Sequence, residues 1–456
     1  MRKMLALLLA AGFLFLAPAP PISISSRAAA GKFQMAANPI PNRYIVVLAT
    51  TDLSPVAAPA PTPVGGTSKF AQASTAASMM SIDSSSTSVV AAPAPDPVVV
   101  ATATDLTATY GGSFSTTWSQ ALKGFLLNSS EAQAISMSGD SRVAFVVQDS
   151  AIAVGTPDTD PIAMTPDPNA DLNPQPNASW GLDRIDQHNL PLNQLYAYHN
   201  DGDGVNAYVI DTGILPTHWE FRGRASSIFD AVDSEGSGID CNGHGSHVAG
   251  IIGGRTFGVA KKVRLFSVRV LNCQGTGAWS DVVNGVNFVT WHRGQPAQQG
   301  YPAVANMSLG GETNRAADAA VRNSIRAGVT YVVAAGNGNA DAANYSPADV
   351  AEAITVGATI QFDYRAEFSN FGATLDLFAP GVSIPSAWIG GDLMIATASG
   401  TSMASPHVAG VVALYLQNHR TASPETVRSA IVGSATVGVV NNSGQESPNR
   451  LVFTNY

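Results

Sequence analysis

Cysteine is almost absent from this chain, with two in 456 residues. That excludes a disulfide-rich scaffold and a four-thiolate zinc site, and leaves room for one bridge. Charge is also scarce. Asp, Glu, Lys and Arg make up 12% of the residues, about half the usual ~25%. The balance is acidic, with 24 basic against 33 acidic side chains and a formal net charge of −9. No cationic field gathers phosphates around such a molecule, so nucleic acid is not an expected partner. Apolar residues, at 45%, are present at an ordinary level, and most of the chain can bury a core.

Long apolar runs are missing as well. The run over residues 4–17 falls short of the roughly 20 residues that a spanning helix needs, and no later segment is long and apolar enough to stop transfer. Arg2 and Lys3 precede that run, and small residues follow at Ala17, Ala19 and Ala28 to Ala30. This is the layout of a secretory signal peptide over residues 1–30. The mature protein is expected to be secreted and extracellular, with no stable membrane anchor, in a compartment where a disulfide persists.

The composition then changes twice. Residues 42–48 form a β-branched and aromatic run, a strand by pattern. Residues 54–97 are dominated by Ala, Pro, Ser, Thr and Val with almost no charge, the composition of a flexible insertion. Structure resumes with Leu106, Tyr110 and the runs 121–125, 132–135 and 143–147, enough for a small α+β domain. Residues 155–176, rich in Pro, Asp, Asn and Thr, read as an exposed linker that a protease can reach. One large domain follows over residues 177–456.

Apolar strands recur in that domain at 207–210, 263–270, 303–309, 329–335 and 353–358, with room for a helix between them. Their near-continuous hydrophobicity is that of a parallel sheet buried on both faces. Ligands of such folds sit beyond the carboxyl ends of the strands. Three polar residues stand at such ends or in adjoining turns. Asp211 follows Ala-Tyr-Val-Ile directly and precedes Thr212-Gly213. Asp-Thr-Gly also marks aspartic proteases, whose two carboxylates share a proton, but no second copy occurs; a turn-capping carboxylate is the plainer alternative. His244 lies in Asn242-Gly-His-Gly-Ser-His-Val-Ala-Gly250, where small residues lead into an amphipathic helix. His247 is three positions on with no neighbouring Glu, unlike the His-Glu-x-x-His zinc motif. An imidazole with a pKa near 6.5 suits proton transfer at neutral pH.

Ser402 lies in Gly400-Thr-Ser-Met-Ala-Ser-Pro-His-Val-Ala-Gly410. Proline is best tolerated in the first turn of a helix, so Pro406 sets a helix start close to Ser402. The hydroxyl then faces unpaired N–H groups and the positive end of a helix, which favour an oxyanion. Asp, His and Ser together supply an orienter, a base and a nucleophile. The α/β-hydrolase elbow needs its acid and then its His after the serine, and no Asp follows Ser402. Asp, His, Ser is the order of subtilisin.

Tyr208-Val-Ile-Asp-Thr-Gly213 and the two blocks around His244 and Ser402 resemble the three signature segments of subtilases. Trp180-Gly-Leu-Asp-Arg-Ile-Asp-Gln187, Gly258-Val-Ala-Lys-Lys262, Ala334-Ala-Gly-Asn-Gly-Asn-Ala-Asp341 and Tyr345-Ser-Pro347 are similar to the proteinase K branch, and within it to bacterial aqualysin-like enzymes. The likeness runs from about residue 175 to 456, with Ser246 where the family usually has Thr. It implies an α/β fold, a subtilisin-like parallel sheet flanked by helices, preceded by a small α+β propeptide domain over residues 31–154.

The resemblance further implies Asp211 as orienter, His244 as general base and acid, Ser402 as acylated nucleophile and Asn337 as oxyanion-hole amide. Polypeptide substrates are expected as extended strands between Gly275-Thr276-Gly277 and Ser308-Leu309-Gly310. Ala334, Ala335 and Gly336 are expected to help line an uncharged pocket, hence broad endopeptidase specificity with apolar or aromatic residues before the cut. Cys241 and Cys273, 32 positions apart, match a bridge of aqualysin-like members; a catalytic thiol is the rival reading. Structural calcium is implied at Asp376 with the carbonyls of Ala351 and Ala353, and at Asp183, Asp186, Gln187 and Asn193; solvated loop acids are the plainer alternative. Residues 43–48, 121–125 and 143–149 are similar to inhibitory propeptides of the family, cut away between Ala153 and Ala178. The enzyme is expected to work as a monomer without a catalytic cofactor. A degenerate, merely peptide-binding protease and a secreted esterase are the competing classes.

Overall fold

In the strand Asn206–Asp211, Ala207 and Val209 pack into one apolar cluster and Tyr208 and Ile210 into another. This is the alternation of a strand covered on both faces. In this computed structural model, residues 31–49, 90, 92–232 and 237–456 are described. The signal peptide read at residues 1–30 and most of the insertion lie outside the described residues.

The strand belongs to a nine-stranded sheet. Its order is Ala225–Asp230, Arg264–Arg269, Asn206–Asp211, Ala303–Met307, Val329–Ala334, Ile354–Thr359, Leu377–Pro380, Arg450–Leu451 and Thr436–Val437. All pairings are parallel except the last. The helices His244–Gly253 and Thr401–Asn418 share an apolar cluster with one face, and Trp279–Arg293 and Arg315–Arg326 with the other. The five strands read from the sequence all lie in this sheet. Two helical expectations change. The His244–Gly253 helix is buried at all ten positions rather than amphipathic. Pro406 lies inside the Thr401–Asn418 helix and not in its first turn.

The smaller sheet is built from Pro39–Leu48, Ser113–Trp118, Gly124–Asn128 and Val143–Ala153, with a two-residue edge at Phe33–Gln34. The strand Ser113–Trp118 was not read from the sequence. The insertion ends where its composition suggests: Asp96 accepts from the Val98 and Val99 amides and caps the helix Pro97–Tyr110, with proline at the position where a missing N–H costs least. Tyr44, Val46 and Leu48 face this helix and Glu131–Ser138. Ile45 and Val47 point the other way, joining Trp118, Leu126 and Val147 in a cluster with Val282, Val283 and Val286 of the large domain.

That second face is locked by polar contacts. Asn287 Oδ1 accepts from the amides of Ser119, Gln120 and Ala121 at 3.3, 2.8 and 3.1 Å. Asp149, fully buried, accepts from the Ser280 amide in the first turn of the Trp279–Arg293 helix and pairs with Arg43 at 2.9 Å. A carboxylate at a helix N-terminus meets unpaired donors and the positive end of the dipole. No helix among the described residues is long and apolar enough to cross a membrane.

Candidate active site

Asp211 ends its strand at the carboxyl edge of the large sheet. Its Oδ1 accepts from the Thr212 amide at 2.7 Å and from His244 Nδ1 at 2.8 Å. His244 opens its helix, is buried, and has no partner on Nε2. Burial pushes the imidazole pKa down, but the charge and hydrogen bond of Asp211, with a smaller push from Asp240, leave it above its ordinary value. His244, Ser402 and Asn337 line one small cavity.

Ser402 Oγ does not point at His244 here. It donates to the Ser308 carbonyl at 3.0 Å, while Ser308 Oγ donates back to the Ser402 carbonyl at 2.7 Å. Pro406 explains the second bond: it has no N–H, and in a helix that N–H would have reached the carbonyl four residues earlier, at Ser402. Ser308 is held in turn by Asn306 Nδ2 at 2.9 Å, and Asn306 Oδ1 accepts from Ser405 at 2.7 Å.

Asn337 Oδ1 accepts from both the amide and the hydroxyl of Thr401 at 2.9 Å. That fixes which way the amide group faces. Its Nδ2 and the Ser402 amide lie 3.3 and 3.5 Å from where a Cβ on Gly400 would sit. The two nitrogens thus border the same space beside Gly400, where a side chain would crowd the Asn337 amide.

The substrate cleft read from the sequence is filled by the chain itself. Ala151, Ile152 and Ala153 pair antiparallel with Ala278, Gly277 and Thr276, and the Val154 amide donates to the Gly275 carbonyl at 2.9 Å. A Cβ on Gly275 would come within 3.0 Å of Val154. Across the strand, Gly310 lines a cavity with Ile152 and Ala153, while Ser308 and Leu309 are buried behind it. Gly155, Thr156 and Pro157 then cross the cavity holding His244 and Ser402. Ala334 and Ala335 are buried and Gly336 partly so, anchored where Asn370 Nδ2 donates to the Ala335 carbonyl and Thr401 Oγ1 accepts from the Gly336 amide.

Cys241 and Cys273 form a disulfide, so neither is a free thiol. His247 turns Nε2 to the carbonyls of Ile384 and Ala396, at 3.0 and 3.2 Å, and burial pushes its pKa down to about 3. It is a structural neutral imidazole, not a zinc partner of His244.

The two groups read as calcium ligands differ. Asp376 is committed elsewhere, since its Oδ1 meets Arg428 Nη2 at 2.5 Å and its Oδ2 accepts from the Thr355 amide at 3.0 Å. Both Asp376 oxygens are therefore partnered within the protein in this arrangement, beside the carbonyls of Ala351 and Ala353 expected to join it. Asp183, Asp186, Gln187 and Asn193 lie in one loop region, with Asn193 Oδ1 accepting from the Leu195 amide and Asp186 Oδ2 from the Ala197 amide. Asp183 accepts from the Asn193 and Gln194 amides, which ties the loop back on itself. Asp186 Oδ1 is buried without a partner, and burial together with the charge of Asp183 pushes Asp186 up to about 6. Oxygen donors in this state suit calcium.

Asp240 and Asn370 escaped the sequence reading. Asp240 accepts from Thr212 Oγ1, the amides of Asn242 and Gly243, and both the amide and hydroxyl of Ser246, so it ties the Asp211 turn to the His244 helix. Its place one residue before Cys241 in an otherwise uncharged block was the available signal. Asn370 accepts from the Gly338 and Ala340 amides, and nothing local marks it.

Residues 202–452 match the Subtilase family. The chain is 50% identical over 347 residues to "Extracellular serine proteinase" of Thermus sp. (strain Rt41A), covering 75% of this chain and 78% of that one. It is 48% identical over 345 residues to "Alkaline serine exoprotease A" of Vibrio alginolyticus, covering 76% of this chain and 61% of that protein. Among solved structures, a cold-adapted subtilisin-like serine proteinase is 50% identical with a TM-score of 0.58, covering 61% of this chain and 99% of its own.

Proposed function

The chain belongs to the subtilase family and is a serine endopeptidase acting on polypeptides, and from that premise we propose that Asp211, His244, Ser402 and Asn337 do its chemistry. Ser402 Oγ attacks the scissile carbonyl as His244 Nε2 takes its proton, and Asp211 holds the tautomer and steadies the imidazolium. Asn337 Nδ2 and the Ser402 amide receive the oxyanion. His244 then protonates the leaving amine, and water frees the acyl group by the same steps in reverse. The observation that carries this is the imidazole seated on Asp211 at 2.8 Å with Nε2 buried and unpartnered in the cavity that Ser402 lines. Ser402 Oγ reaches it by rotating its side chain away from the Ser308 carbonyl.

The same reading makes residues 31–154 an inhibitory propeptide and export the route of the whole chain. Support comes from the antiparallel pairing of residues 151–153 with the cleft strand, from the signal-like start, and from relatives named as extracellular or exoproteases. Specificity is broad with apolar or aromatic residues before the cut, calcium binds at Asp183 and Asp186 for stability, and the active enzyme is a monomer. Purified protein is incubated with casein, with and without a sulfonyl fluoride, beside Ser402→Ala. Hydrolysis that stops with either treatment is expected; hydrolysis indifferent to both would remove the mechanism.

A further inference from the structure

The linker between the two domains does not hang free. Beyond the cavity, the Asp158 amide donates to the Thr397 carbonyl at 2.8 Å, and Ser399 Oγ donates to Asp158 Oδ2 at 2.5 Å. The Thr397 amide donates to Thr159 Oγ1 at 3.2 Å. Ile162 and Ala163 pair antiparallel with Ile395 and Met394, and the Met164 amide donates to the Leu393 carbonyl at 2.8 Å. Residues 158–164 thereby lie along the strand Met394–Ala398 and residues 151–153 along the strand Thr276–Ala278, while residues 155–157 between them line the cavity with Ser402.

The next stretch is pinned to the large domain. Arg255 makes a fork on Asp171 at 2.8 and 2.7 Å and reaches the Asp167 carbonyl at 2.8 Å. Lys261 Nζ, on a half-buried side chain, donates to Gln175 Oε1 at 2.6 Å, and Gln175 Nε2 donates to the Thr256 carbonyl at 3.0 Å. Bidentate arginine–carboxylate contacts of this kind are among the stronger and more directional polar contacts.

Resting on the protease reading above, we propose that the first processing bond is Gly155–Thr156, and that residues 158–176 remain after the cut as an N-terminal arm occupying the leaving-group side of the cleft. Gly155 and Thr156 both line the cavity with His244, Asn337 and Ser402, and Val154 does not. Thr156–Pro157 is disfavoured, because its departing nitrogen carries the proline ring in place of a hydrogen. In the step, Ser402 Oγ bonds to the Gly155 carbonyl carbon, the C–N bond to Thr156 breaks, and His244 passes the serine proton to the Thr156 nitrogen. Water then releases Gly155 as a carboxylate.

Cleavage removes nothing that holds residues 158–164. Their anchor at Asp167 is only a few residues further on, so the effective concentration of the arm at its own strand is in the millimolar range expected of a short tether. A substrate extending past its cut must displace the arm. One that ends in a small leaving group need not.

The test uses the full secreted chain and Asp158→Pro, which removes the N–H given to Thr397 and the carboxylate held by Ser399. N-terminal mass spectrometry of the wild type is expected to give Thr156 as the first new N-terminus. In Asp158→Pro, kcat/KM is expected to rise about tenfold, the size of one or two lost hydrogen bonds, on peptides with four residues beyond the cut, and to stay unchanged on a peptide anilide. A first N-terminus at any other bond, or equal effects on the two substrates, overturns the arm while leaving the protease reading intact. Wild-type protein that neither processes itself nor cleaves casein removes both.

Discussion

Replacing Asn337 by Ala separates transition-state stabilisation from binding. The side chain does two things: Oδ1 takes the Thr401 amide and hydroxyl at 2.9 Å each, and Nδ2 faces the space beside the Ser402 amide. The ground-state carbonyl makes little use of Nδ2, whereas the tetrahedral oxyanion makes full use of it. Loss of one such donor costs about 3–4 kcal/mol, or 10²–10³ in kcat, with KM nearly constant. Asn337→Asp keeps an acceptor for Thr401 but presents a negative charge to the oxyanion, so it should fall further than Ala. The assay is steady-state hydrolysis of a peptide anilide by the processed enzyme, with melting temperatures recorded for each variant. A kcat loss under tenfold in Asn337→Ala, or a loss carried in KM, would refute the oxyanion role. A large drop in melting temperature in Ala but not Asp would instead assign the residue to holding the Thr401 turn.

Wild-type kcat/KM should rise with pH through a value above 6.5, because the raised His244 pKa keeps the base protonated below it. Asp211→Asn leaves burial as the dominant influence, so the acid limb should move to lower pH while kcat falls roughly 10⁴-fold; a limb that stays in place contradicts the pairing. Replacing Cys241 and Cys273 by Ser frees a loop spanning 32 positions and should cost about 3–4 kcal/mol on the chain-entropy account. At roughly 2–4 °C per kcal/mol, calorimetry should show a fall of order 10 °C. Excess chelator should lower the melting temperature of the wild type and of Asp376→Asn, but not of Asp186→Asn; insensitivity of the wild type would rule out the calcium site at Asp183 and Asp186.

Local pattern was enough for five strands of the large sheet and for singling out Asp211, His244 and Ser402 beside them. Continuous apolar runs could only be strands buried on both sides, and the blocks around Asp211, His244 and Ser402 carry their turns and helix starts within a few residues. Pro406 shows where local reasoning stops. Its sequence position pointed to a helix beginning near Ser402, but its consequence, a carbonyl freed for Ser308, depends on a partner 94 positions away. Arg428 reaches Asp376 across 52 positions, a pairing that neither segment announces. Asn370 and Asn287 look like any loop or helix amide until the backbone donors they serve are brought to them from 30 to 168 positions off.

The filling of the cleft belongs to the same class. A linker rich in Pro, Asp and Thr has no periodicity that distinguishes free chain from chain laid along a strand edge, because β pairing is made by backbone groups that every residue carries. The sequence by itself therefore determined the central parallel strands and which acid, imidazole and alcohol stand at their ends. Only the tertiary structure decided what each of them touches, since those contacts join segments far apart in the chain and leave no mark on either one alone.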